Sequence, residues 1–225
     1  MATAWSAYLP EVLPALHGVS DVMAENAIRN AAIELCEKSW IWKYDMASDT
    51  SLVAAQASYV LVPPTGSVIH AIPAMGYFPE GETETVPVTG PVSEDELDKL
   101  RPGWREEASS GTTNTVSFFT LEKNTIRVIP KPVENQASAL RISLILKPTR
   151  TSDDGADLLY DDWLEAIAHG AKWKLMVLPG KDWSNPELAE YHRREFRKGC
   201  TAAFAKRLKG GGDRSITVWP RQFGR

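Results

Sequence analysis

The spacing of apolar residues changes twice along the 225-residue chain. Near the N-terminus they recur every three or four positions, as on one face of an α-helix. In the middle they form short β-branched runs separated by Pro, Gly, Asn or Ser, which is typical of strands. From Leu159 the helical spacing returns. The pattern predicts an α+β protein. Both chain ends, residues 1–48 and 149–209, form a helical domain, and residues 49–148 form an inserted β-rich domain with sandwich-like or barrel-like packing.

Three long helices are expected outside the insertion. The first covers residues 20–38, where Ser20 or Asp21 offers an oxygen to the unpaired amides of the first turn. Its apolar face is rich in small residues, so a neighbouring helix is expected to approach closely. The second helix begins near Leu159 and ends before a Pro-Gly pair. The third covers residues 186–208 and begins with a proline, whose missing amide costs nothing in the first turn.

The insertion is predicted to hold six strands, a tight hairpin and one short helix. The short helix covers residues 93–100, where Ser93 is the cap and Glu96 completes a capping box. Lys123 and Asn124 form the turn of the hairpin. The expected strands are residues 58–62, 68–72, 85–88, 116–121, 125–129 and 140–146.

The C-terminal part of the chain is basic and poor in apolar residues. From Arg193 onward the chain has ten basic and two acidic residues, a formal net charge of +8, whereas the first 192 residues carry −12. The glycines at 210–212 end the last helix. The residues after them cannot form a core of their own, so they are predicted to be an extended C-terminal arm with a reach of roughly 40 Å.

The basic segment indicates a binding function. An acidic body with a basic tail is typical of docking onto an acidic partner or onto nucleic acid, and a solvated helix face is the simpler alternative. In the arm, Trp219 and Phe223 are flanked by Arg214, Arg221 and Arg225. Aromatic residues beside arginine are typical anchors for a partner surface. Stacking on single-stranded nucleic acid is the alternative for these residues.

The sequence predicts no enzyme, and no catalytic, cofactor-binding or metal-binding residue. Its histidines have no metal-ligand spacing with each other or with the cysteines. The acidic residues at 153–162 precede a helix, where the N-terminal dipole favours negative charge. A metal-dependent nuclease built on that cluster is the remaining catalytic hypothesis. Cys36 and Cys200 are expected to be reduced and half-buried, because the N-terminus lacks the features of a signal peptide. No apolar run approaches the roughly 18 residues of a membrane span.

Three blocks of the chain resemble a family of tailed-bacteriophage head-to-tail adaptor (connector) proteins. The first, residues 8–42, is YLPEVLPALHGVSDVMAENAIRNAAIELCEKSWIW. The second, within residues 126–149, is IRVIPKP followed by LRISLILKPT. The third is LLYDDWLEAIAHGAKWKLMVLPGKDWSNPELAEYHRREFRKGCTAAFAKRLKGG with the closing WPRQFGR. The resemblance is one of overall pattern, because none of these blocks carries a chemically diagnostic motif.

The resemblance implies a structural virion protein at the head–tail interface, assembled in the host cytoplasm. Such adaptors form a ring with neighbouring copies, usually twelve, beneath the portal protein. The ring extends the DNA ejection channel, through which genomic DNA passes without specific binding, and gives the tail or nozzle proteins a platform. The leading alternative is a nucleic-acid-binding protein that uses the basic C-terminal segment.

The resemblance also assigns a role to the arm. Residues 213–225 would insert into the outer surface of the portal protein, with Gly210, Gly211 and Gly212 as the hinge. The predicted portal-binding residues are Arg214, Ile216, Val218, Trp219, Arg221, Phe223 and Arg225.

Overall fold

A computed structural model describes residues 2–46, 50–80, 82, 84–109 and 114–210. The chain divides into two compact units. The helical unit comprises Met1–Trp42 and Pro148–Arg225, and the β unit comprises Lys43–Lys147. Helices and sheets are both present, which confirms the α+β class at that level. The boundaries of independently folding domains and the sandwich-like or barrel-like packing of the insertion stay predictions.

The helices and strands are numbered in chain order. The helices are α1 (Leu9–Val12), α2 (Asp21–Ser39), α3 (Glu94–Leu100), α4 (Asp157–Met176) and α5 (Pro186–Leu208). The strands are β1 (Ala2–Ala4), β2 (Lys43–Asp45), β3 (Thr50–Leu52), β4 (Ser58–Val60), β5 (Ser67–Tyr77), β6 (Val86–Val88), β7 (Phe118–Glu122), β8 (Thr125–Ile129), β9 (Gln136–Pro148) and β10 (Asp154–Ala156). Each of the six predicted strands corresponds to an observed one, but β1, β2, β3 and β10 were not predicted. Each of these four is three residues long and lies outside a longer valine-rich run, whereas the equally short β4 and β6 lie within such runs.

Helices α2, α4 and α5 form the core of the helical unit. Gly170 of α4 lies where the three helices meet. A Cβ atom there would come within 2.8 Å of both the Ala31 Cβ of α2 and the Phe196 ring of α5. This contact confirms that small residues on α2 allow a neighbouring helix to approach closely. A larger residue at position 170 would force the helices apart, because protein interiors have few voids.

The N-terminal residues close one end of the helical unit. Strand β1 pairs antiparallel with β10, just before α4, with Ala2 opposite Ala156. The indole nitrogen of Trp5, which is almost completely buried, donates to the backbone oxygen of Ser152 at 2.9 Å. One 3-10 turn on each side of α1 leads the chain to α2.

One predicted cap is wrong in detail. Ser20 occupies the N-cap position of α2 in an extended conformation, but its side chain makes no capping hydrogen bond. Asp21 is the first residue of the helix, so it lies one position too late to be the cap. The first turn of α2 therefore forms without a side-chain cap, and the stability of α2 depends on the packing of its apolar face.

The β unit contains two of the protein's sheets. The larger one has the order β2-β9-β5-β6, with β3 also paired to β9. The smaller one has the order β4-β8-β7, and its β7–β8 hairpin turns at Lys123, which has a φ of 53°. This confirms the predicted hairpin. The short helix α3 is also confirmed, with the Ser93 side chain accepting a hydrogen bond from the Glu96 amide at 3.2 Å.

Among the described helices, none combines the length and the apolar character that crossing a membrane requires.

Candidate assembly surface on the helical unit

Helix α5 is the element that leads into the predicted arm. It begins with Asn185 as N-cap, whose side chain accepts from the Leu188 amide at 3.1 Å, and with Pro186 in the first turn. Its 23 residues span roughly 34 Å. The buried side chains recur every three or four positions and face the core: Ala189, His192, Phe196, Cys200 and Ala203. The opposite side of α5 therefore faces away from the core along the whole helix.

We call this opposite side the α5 outer face. It consists of Arg194, Arg197, Lys198, Thr201, Ala202 and Ala205. Large apolar side chains border it: the exposed fraction is 45% for Tyr191, 41% for Phe204 and 54% for Leu208. Arginine together with exposed aromatic residues is enriched at protein–protein interfaces. The α5 outer face therefore has the composition of a surface that binds another protein.

Only part of the positive charge of α5 is neutralised within the chain. Arg193 pairs with Glu190 at 3.1 Å, and Lys198 pairs with Glu195 at 2.7 Å. The hydrogen bond from Lys198 lowers the pKa of the Glu195 carboxyl below its ordinary value. In contrast, neither Arg194 nor Arg197 forms a hydrogen bond or ion pair with a carboxylate among the described residues. These two guanidinium groups are available to a partner molecule.

The C-terminal end of α5 is held by both neighbouring helices. The Lys206 ammonium group bonds to the Asp162 carboxylate of α4 at 2.8 Å and lies 5.7 Å from the centre of the Trp163 ring. The Arg207 guanidinium lies 4.9 Å from the centre of the Trp40 ring, at the end of α2. Cation–π contacts of this kind contribute about 0.5–1 kcal/mol each at exposed sites. The last turn of α5 is therefore a fixed base for the residues that follow it.

Gly210 is the first predicted hinge residue and the last residue that the structure describes. Its φ of +63° favours glycine, and its amide donates to the Arg207 backbone oxygen at 3.1 Å. A Cβ atom at this position would meet no described atom within 4 Å. The other two hinge residues, Gly211 and Gly212, lie outside the described residues. The predicted portal-binding residues also lie there: Arg214, Ile216, Val218, Trp219, Arg221, Phe223 and Arg225.

The solvent side of α4 carries acidic residues, which we call the α4 acidic row: Asp161, Asp162 and Glu165. All three are exposed. Asp162 pairs with Lys206, whereas Asp161 and Glu165 form no ion pair with a lysine or arginine in the part of the chain that the structure covers. Within that same part, no group of three His, Cys, Asp or Glu side chains could hold a metal ion.

One contact within this unit was missed at the level of sequence. His169 of α4 and His192 of α5 meet through their Nδ1 atoms at 2.7 Å, so one ring donates to the other. Burial, with the neighbouring His169 and Lys172, lowers the pKa of His192 to about 4. Each histidine alone has the pattern of a half-buried polar residue. The phase of α4 and α5, two antiparallel helices, places both histidines at the interface between them. That phase is the signal in the sequence that would have revealed the contact.

The two cysteines are more deeply buried than expected. Cys36 and Cys200 are free thiols, as predicted, but both lie in the core of the helical unit instead of being half-buried. Burial raises the pKa of Cys200 to about 11. The thiolate form that a nucleophile or a metal ligand needs is therefore disfavoured.

Comparison with known proteins gives one family. A family model described as SU10 adaptor protein matches residues 4–220, nearly the whole chain. No curated protein matches the chain.

Proposed function

Because this chain belongs to the SU10 adaptor protein family, we propose that it is a head-to-tail adaptor that forms a ring beneath the portal protein. At the level of the family it is a structural phage protein, as the resemblance of the three sequence blocks predicted. In the proposed assembly the ring, usually of twelve copies, extends the DNA ejection channel and provides the platform for tail or nozzle proteins. Genomic DNA passes through its lumen without specific binding.

The fixed end of α5 is the observation that supports this proposal most. The last helical turn is held to α4 through Lys206 and to α2 through Arg207. A segment that leaves from such a base is tethered to the helical unit, as a structural joint requires. Residues 213–225 are the proposed portal-binding arm, and Gly210, Gly211 and Gly212 are its proposed hinge. In the arm, Trp219 and Phe223 are the proposed anchors, since buried aromatic residues dominate many interfaces.

Truncation tests the role of the arm. A chain that ends at Lys209 keeps all the contacts of α5 described above, so its circular dichroism spectrum should match that of the full chain. Its binding to the portal protein of the same phage should be lost. Portal binding equal to that of the full chain would overturn the arm assignment.

Point substitutions separate specific anchoring from the mere presence of an arm. Trp219→Ala combined with Phe223→Ala should weaken portal binding at least a hundredfold, because each truncated anchor typically costs about 2 kcal/mol or more. Thr217→Ala combined with Gln222→Ala is the matched control, since it alters the same segment without removing an aromatic ring. Equal losses in both variants would contradict anchoring by the two aromatic residues.

Nucleic-acid binding is the second candidate function, and the unpaired Arg194 and Arg197 favour it. Other basic residues of α5 are already neutralised by Glu190, Glu195 and Asp162, which weakens this candidate. A salt titration of affinity for duplex DNA separates the two functions. A protein that contacts six or more phosphates loses about a thousandfold in affinity between 50 and 200 mM salt. The adaptor hypothesis predicts negligible affinity at both salt concentrations.

A further inference from the structure

The helical unit carries two exposed rows of unpaired charge that are opposite in sign. On α5, Arg194 and Arg197 are three positions apart, and on α4, Asp161 and Glu165 are four positions apart. Residues at these spacings lie next to each other on one side of a helix. All four side chains are exposed, and none has an ion-pair partner among the residues described. Each row therefore presents two adjacent charges to the solvent.

The two rows do not neutralise each other within one copy. Helices α4 and α5 are antiparallel neighbours, and the ion pair that joins their charged sides uses Asp162 and Lys206. Lys198, which lies between the rows, is taken by Glu195 of its own helix. The remaining charges of both rows are therefore left for another molecule.

We propose that the α5 outer face of one copy binds the α4 acidic row of a second copy. The proposal rests on the proposed function, because it assigns the contact between neighbouring subunits of the ring. The two surfaces are different patches of the same chain, so the contact is heterologous, and a heterologous contact closes into a ring when its rotation allows. Opposite charges across such a contact select the partner and fix its register.

A second copy fits the α5 outer face better than DNA does. Ala202 and Ala205 of the face are small and allow close approach by another helix. Tyr191 and Phe204 of the same helix have exposed aromatic rings. A phosphate backbone would contact the arginines and leave these apolar side chains in water. Another protein surface buries them and so removes their apolar area from water.

Zero-length cross-linking provides the first test. The full-length Arg197→Lys variant places an amine in the proposed contact, and a carbodiimide then joins it to a carboxylate within direct reach. A mixture of ¹⁵N-labelled and unlabelled protein, bound to the portal protein of the same phage, identifies links between copies. We expect mixed-isotope peptides that join position 197 to Asp161 or Glu165. The link between Lys198 and Glu195 within one copy is the internal control. Same-isotope products alone at position 197 would overturn the proposal.

Charge reversal provides the second test, with the arm left intact. The readout here is the amount of mixed-isotope links between native lysines of neighbouring copies, made with an amine-to-amine reagent on the portal-bound protein. Arg194→Glu with Arg197→Glu, or Asp161→Lys with Glu165→Lys, should each reduce these lysine–lysine links at least tenfold while portal binding persists. All four substitutions in one chain should restore them, because the charges are complementary again. Lys99→Glu with Lys123→Glu in the β unit is the matched control, with the same change in net charge and no expected effect.

The outcomes separate this inference from the function on which it rests. If wild-type protein does not bind the portal, the proposed function fails. If wild type and both reversed variants bind the portal and form the same lysine–lysine links between copies, only the proposed subunit contact fails. Persistent lysine–lysine links combined with loss of DNA affinity in Arg194→Glu with Arg197→Glu would assign the α5 outer face to nucleic acid and overturn the proposal.

Discussion

The arginines of the β unit and those of the α5 outer face have opposite surroundings. Beside α3, Arg105 bonds to both Glu94 and Asp98 and lies 4.3 Å from the centre of the Trp104 ring. Arg101 is likewise paired, with Glu107. On α5, Arg194 and Arg197 have no such partner within the described chain. Arginines that serve the fold are paired inside their own unit, whereas unpaired arginines beside exposed aromatic residues indicate a surface for another molecule.

The largest expected effect is on the free energy of unfolding, and it comes from the β unit, where the paired arginines lie. Trp104 is 1% exposed, donates from its indole nitrogen to Asp98 at 2.8 Å, and has the guanidinium groups of Arg105 and Arg127 near its ring. Trp104→Ala should lower the free energy of unfolding by about 3–5 kcal/mol. Chemical denaturation measures this loss, and Trp104→Phe should show a smaller one. An unchanged free energy of unfolding in Trp104→Ala would mean that the contacts of Arg105 and Arg127 with this ring do not stabilise the fold.

The histidine contact between α4 and α5 makes the stability of the helical unit depend on pH. The pKa of His192 falls from 6.5 to about 4 on folding, because of burial and the nearby His169 and Lys172. The unfolded chain therefore binds a proton more readily than the folded one between these values. Stability should be complete above pH 6.5 and fall, by on the order of 1–3 kcal/mol, as the pH approaches 4.

Denaturation curves at several pH values test this dependence. His192→Asn should flatten the slope between pH 6.5 and 4, and His17→Asn, at an exposed position, should leave it unchanged. The facing carboxylates Glu165 and Glu195 oppose the shift at His169, so the slope should belong mainly to His192. A slope that survives His192→Asn would assign the pH dependence to other groups.

Helices α2 and α5 also differ in how they begin. Asn185 caps α5 through its side chain, whereas Ser20 makes no such bond at the start of α2. Asn185→Ala should therefore lower the free energy of unfolding by about 1 kcal/mol, and Asn185→Ser should recover most of it. Ser20→Ala should change stability by less than about 0.5 kcal/mol. Thermal and chemical unfolding of the three variants check the difference, and equal losses at both positions would refute it.

The smallest effect on stability is expected for Arg194 and Arg197, whose substitution should have a large effect on assembly. Arg194→Ala with Arg197→Ala removes two exposed side chains that have no carboxylate partner in the described chain. The free energy of unfolding should stay within about 0.5 kcal/mol of wild type. A substantial loss of stability would show that these arginines serve the fold, and the comparison between the two regions would no longer hold.

The sequence predicted the regular elements well because their periods are long enough to recognise. Helices α2, α4 and α5 and six strands follow from the spacing of apolar residues. The pairing of β1 with β10 could not be predicted, because it joins three-residue strands about 150 positions apart. For the same reason, the sequence does not show which charged residues form ion pairs. Arg193 and Arg194 are adjacent in sequence, yet only Arg193 has a carboxylate partner among the described residues, and Lys206 is paired with a carboxylate 44 positions away.

The proposed arm depends on sequence reasoning alone, since residues 211–225 lie outside the described part of the chain. The helical unit adds the end of α5, which Lys206 and Arg207 hold in place. The contact between arm and portal therefore remains the central claim of the account.

Hydrogen–deuterium exchange of the full-length protein, with and without the portal protein of the same phage, tests that claim most directly. Peptides from residues 213–225 should exchange markedly more slowly when the portal is present, because their amides become buried against it. Peptides from α2, which is not part of either proposed contact, should exchange equally in both states. Unchanged exchange of residues 213–225 in a sample shown to contain the bound complex would contradict the account.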